Sequence, residues 1–118
     1  MRTAFHGEVD TADANAAPVA FTLYKEGEVV AYSLGAHEYV RVTDYSYSPE
    51  VAMVVKIVGA TDAAGTRMVD RWCAATGGAD RALNTPFIFP EGVTPRLYGS
   101  VADHVKATIF GEIIGRQP

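Results

Sequence analysis

The stretch HVKATIFGEII, residues 104–114, constrains the fold more than any other. Val105, Ala107, Ile109 and Ile113 share one side of an extended chain, while Lys106, Thr108 and Glu112 share the other. A period of two suits a strand with one buried face. Phe110 and Ile114 put apolar bulk on the otherwise polar side, so that side is expected to be covered too, by this chain or by another subunit. Gly111 points to a bulge or a close backbone approach. Just upstream, TPFIFP lies between Pro86 and Pro90, which cannot donate to a ladder and so forbid ordinary central pairing there. PEGV then reads as a tight turn, PRLYG as a short strand and SVAD as another turn.

The rest of the chain repeats this punctuation. Val19, Phe21 and Leu23 alternate, KEGE suits a hairpin loop, and a strand is expected to resume with Val29 and Val30. In HEYVRVTDY, Val40 and Val42 point inward and Tyr39, Arg41 and Thr43 outward. The nearly all-apolar VAMVVKIVGA, bounded by Pro49 and Gly59, reads as a central strand. Residues 67–75 read as a strand, although Met68, Val69, Trp72 and Cys73 also fit one face of a short helix ending near Gly77. Residues 1–17 are rich in Ala, Asp and Thr, with Phe5 and Val9 as the only large apolar side chains. They read as an extended N-terminal arm, either frayed or laid on a neighbour.

About seven short strands with frequent turns describe an all-β fold, an antiparallel β-sandwich, as a single domain over 18–118 preceded by the arm over 1–17. A chain of 118 residues can bury roughly two-thirds of its unfolded surface. Its net charge of −4, with ten scattered Lys and Arg, argues against nucleic acid as a partner. The single Cys73 cannot form an intramolecular disulfide and reads as a buried small hydrophobe. No stretch reaches the ~18 consecutive apolar residues of a membrane span, so no membrane partner is expected. The N-terminus lacks the apolar segment of a signal peptide, and synthesis in the cytoplasm is expected.

Chemistry-bearing patterns are scarce. His6, His37 and His104 have no ligand spacing, so no metal is expected. There is no nucleophile elbow and no phosphate-cradling loop, and the 14 acidic residues follow no pattern that pairs them. No cofactor and no catalytic residue are expected, and the chain reads as non-enzymatic. The aromatic residues say more. Tyr39, Tyr45 and Tyr47 cluster on one strand and its loop, and exposed tyrosine is common at interfaces and in sugar-binding platforms.

FIFPEGVTPRLYGSVADHVKATIFGEII resembles the C-terminal half of small jelly-roll proteins on bacteriophage capsids, and HEYVRVTDYSYSPEVAMVVKIV is similar to their preceding core strands. The likeness spans about residues 37–114 and is one of pattern. It implies a jelly-roll-like capsid decoration (cement) protein, a homotrimer on the virion surface, assembled in the host cytoplasm and bridging subunits of the major capsid protein. Interface residues on that reading are Phe5 and Val9 in the arm, with Tyr39, Tyr45, Tyr47, Phe110 and Ile114. Deleting residues 2–12 is then expected to abolish capsid binding and leave melting unchanged. The alternative is a small ligand- or carbohydrate-binding module, of tail, fibre or adhesion type, using the same tyrosines.

Overall fold

The computed structural model describes residues 2–60 and 66–115. Nine strands follow in chain order: β1 (Arg2–Thr11), β2 (Val19–Ala20), β3 (Thr22–Lys25), β4 (Glu38–Pro49), β5 (Met53–Val58), β6 (Arg67–Cys73), β7 (Ala79–Ile88), β8 (Arg96–Gly99) and β9 (Val105–Gly115). They form two antiparallel sheets, β3-β1-β9-β4-β7 and β2-β8-β5-β6, packed face to face as a β-sandwich. There is no helix among the described residues, and 67–73 is a strand.

The core is apolar throughout. Val40, Val42, Ile109 and Ile113 of the larger sheet meet Val55, Ile57 and Leu97 of the smaller one, all fully buried. Phe89 closes one end. Its N–H donates to Val40 O at 3.0 Å, and its ring meets Phe87 edge-on with centroids 5.0 Å apart. The FIFP alternation explains this: Phe87 and Phe89 turn inward and Ile88 outward. Consistent with the flanking prolines, β7 is an edge strand. The PEGV turn closes by a bond from Val93 N–H to Pro90 O, with Gly92 at φ 73°; positive φ is glycine territory.

Two expectations need correction. Most of the presumed arm is β1, paired along its length with β9 and in part with β3, in the interior of the larger sheet. Phe5 and Val9 are core residues at 4% and 7% exposure. Phe5, Gly7 and Val9 alternate with His6 and Glu8, and the inward glycine hides the period. An added Cβ at Gly7 would lie 3.0 Å from the side chains of Ile109 and Leu23, a tight fit that those side chains would have to relieve. The second correction concerns the hairpin after β3. Val29 and Val30 are exposed, and the returning chain pairs with β3 through an isolated bridge from Tyr32 to Leu23. No strand resumes there.

Candidate functional site: the outer face of the larger sheet

Strand β4 fixes which side chains reach this face. Val40 and Val42 point inward, and unbroken alternation would turn Tyr45 and Tyr47 outward. Instead the β4–β9 register shifts between Val42 and Asp44, so Thr43 is an extra residue. A bulge of one residue inverts the parity beyond it. Tyr45 and Tyr47 therefore face the core at 4% and 5% exposure, stacked on one another with centroids 6.0 Å apart. Burial, followed by the Cys73 and Tyr45 fields, holds the Tyr47 phenol above its ordinary range. Neither tyrosine can serve an exposed interface or sugar platform as expected. Gly111 faces the bulge, and a Cβ there would lie 1.9 Å from Arg41 O. The close approach expected of this glycine is present.

Cross-strand register arranges the outward side chains in rows. One row runs Tyr24, His6, Phe110, Asp44 and Ala82 across all five strands. His6 stacks on Tyr24 with centroids 5.1 Å apart and an interplanar angle of 20°, and Phe110 lies 6.4 Å from His6. Rings stacked across neighbouring strands stand upright, so the row is a ridge with its edges in water. Phe110 is 46% exposed.

The next row holds Ala4, Glu112, Arg41 and Ile88. Arg41 donates to Glu112 at 2.8 Å, with Arg2 3.8 Å from the same oxygen, and Ile88 is 56% exposed. A third row places Ile114 beside Tyr39, both half-buried. The structure thus brings Tyr39, Phe110 and Ile114 together on one half of one face, and puts Phe5, Val9, Tyr45 and Tyr47 inside.

The other half of the face is polar. Rows Thr22–Glu8–Thr108–Ser46 and Asp10–Lys106–Ser48 border a shallow trough of about 680 Å³, which Val19 and Ala20 also line. At its rim, His104 Nδ1 lies 3.2 Å from Asp10. Among the described residues no group of three His, Cys, Asp or Glu side chains is placed to hold a metal ion.

His6, Ile88 and Trp72 were not foreseen as surface features. The alternation of Phe5, Gly7 and Val9 was the available signal for His6. For Trp72 it was the alternation of Val69 and Cys73 in β6. Trp72 lies on the outer face of the smaller sheet, opposite Val54, and is 68% exposed. Comparison with protein families, curated proteins and solved structures finds no match for this chain.

Proposed function

We propose that this chain is a non-enzymatic virion structural protein of the decoration type, a homotrimer that bridges major capsid protein subunits. The carrying observation is the aromatic half-face. Phe110 and Ile88 are exposed beside Tyr24, Tyr39, Ile114 and the Arg41–Glu112 pair, and aromatic residues with arginine are what interface centres enrich. Trp72 offers a second apolar exposure on the opposite sheet; two separated contact surfaces suit a bridging protein. The strand orders lend support to the jelly-roll reading. With β3 set aside, four strands ordered 1-9-4-7 face four ordered 2-8-5-6, the double-sheet arrangement shared by capsid and lectin domains. The anchoring role first given to Phe5 and Val9 passes to this face.

The test is co-sedimentation with shells assembled from the major capsid protein encoded nearest this gene. Wild-type protein is expected to travel with the shells, and Phe110→Asp to stay in the supernatant with its melting curve unchanged. Light scattering is expected to give a trimer; a monomer that ignores the shells would sink the reading. The polar trough favours a second reading, a carbohydrate-binding module using Glu8, Ser46 and Thr108. A glycan-array signal lost in Thr108→Val would establish it in place of the first.

A further inference from the structure

Strands β6 and β7 end their respective sheets on the same side of the sandwich, and among the described residues neither has a strand partner on its outer edge. Between them a cleft of about 510 Å³ opens toward the core. Its floor is apolar: Tyr45, Val69, Met68 and Leu83. Its flanks carry Arg71 from one sheet and Arg81 from the other.

Parity makes these arginines unusual. Arg71 pairs with Val55, and Arg81 pairs with Tyr45; both partners face the core. Both side chains therefore leave their strands on the side of the gap and stay exposed at its mouth, and both act electrostatically on the same Tyr47 phenol. Neither has a hydrogen-bond or ion-pair partner among the described residues. Asp70 also borders the cleft, but its carboxylate is engaged by Arg67 at 2.7 Å and Lys56 at 4.0 Å. Inward charge on an edge strand discourages pairing between like edges. Two cations facing one gap do more than that, because they leave a positive site above an apolar floor.

We propose that this cleft binds an extended acidic segment of a partner protein, which adds as a strand to the β6 edge. The open backbone edge supplies hydrogen bonds that a free anion could not use, and alternate side chains of an added strand enter the gap. One would be a carboxylate between Arg71 and Arg81, forming charge-assisted bonds. The residue two positions away would be apolar, over Val69, Met68 and Leu83. The recognised pattern is acid-x-apolar.

Capped peptides of about seven residues centred on Asp-x-Leu or Glu-x-Leu provide the probe, with Lys in place of the acid as control. Trp72 adjoins Arg71 and is the only tryptophan in the chain, so its fluorescence reports addition at this edge, with calorimetry as a second readout. Acidic peptides are expected to bind, more weakly as salt rises. Arg71→Gln or Arg81→Gln should each weaken binding about tenfold, while Arg71→Lys retains part of it. Melting curves identify any variant that has lost its fold, and the Lys variant and peptide controls then carry the test. Three results overturn the proposal: no binding at millimolar peptide, equal binding of the Lys control, or unchanged binding in the folded double Gln variant. A dimer dispersed by the same substitutions would assign the cleft to a second copy and equally overturn it.

Discussion

Gly111 is the residue on which the larger sheet turns. It faces the Thr43 bulge, and Arg41 O occupies the space of any Cβ. Its φ is not positive, so the requirement is room and not backbone conformation. Gly111→Ala should destabilise the fold by about 3 kcal/mol, since the clash is with backbone that cannot swing aside. Chemical denaturation measures this, and a loss below about 0.5 kcal/mol would show that the strands separate freely. Thr43 explains why, so the two sites should be coupled. Deleting Thr43 leaves Val42 and Tyr45 inward with one residue between them, which keeps the parity and regularises the ladder. Gly111→Ala should then be milder in the Thr43-deleted background than in the wild type, whereas simple additivity would rule out the bulge as the cause.

At the scale of elements, legibility follows how local the deciding interaction is. Strands β4, β5, β8 and β9 were readable because their alternation or apolar runs lie within a few residues, whereas the apolar residues of β6 fit a strand and a helix face alike and its pairing with β5 decides between them. The inward Tyr45 and Tyr47 were not, because the bulge that turns them is made with a partner more than sixty positions away in sequence. Strand β1 was missed because one of its inward positions is a glycine, which carries no hydrophobic signal. The loop after β3 shows a third case, in which polar contacts replace a strand. Glu38 Oε1 accepts the Tyr32 hydroxyl and the Gly35 N–H, and Lys25 sits 4.0 Å above the Tyr32 ring. The Tyr32 bond, ahead of the Gly35 bond and Lys25, holds the Glu38 carboxyl below its ordinary 4.5. The same bond, then burial and the Glu38 charge, pushes Tyr32 up to about 12. A lowered carboxyl pKa stabilises above 4.5, and that contribution fades as pH falls through the folded value. A raised phenol pKa stabilises below 10.0, and that contribution fades as pH climbs toward about 12. Hydrogen exchange at the Gly35 amide should therefore be most protected between those limits, after correction for intrinsic rates. Tyr32→Phe should flatten the alkaline limb; an unaltered limb would place the titration elsewhere.

For the whole molecule, the first strand is structural and not a tether. Removing residues 2–12 takes out a strand that β9 and β3 both pair with, along with Phe5 and Val9. The truncated chain should lose its cooperative thermal transition and its near-ultraviolet circular dichroism. Retained melting would restore the arm. The same pairing has a consequence for synthesis. Strand β9 lies between β1 and β4 and contacts both over most of its length, yet it is made after every other described strand. At about 5–20 residues per second, β1 waits on the order of ten seconds for the neighbour that completes its ladder. Until then its backbone groups on that edge and the apolar faces of β1 and β4 stay open to other nascent chains. The interval between the synthesis of β1 and that of β9 is when this sheet is most exposed to misassembly.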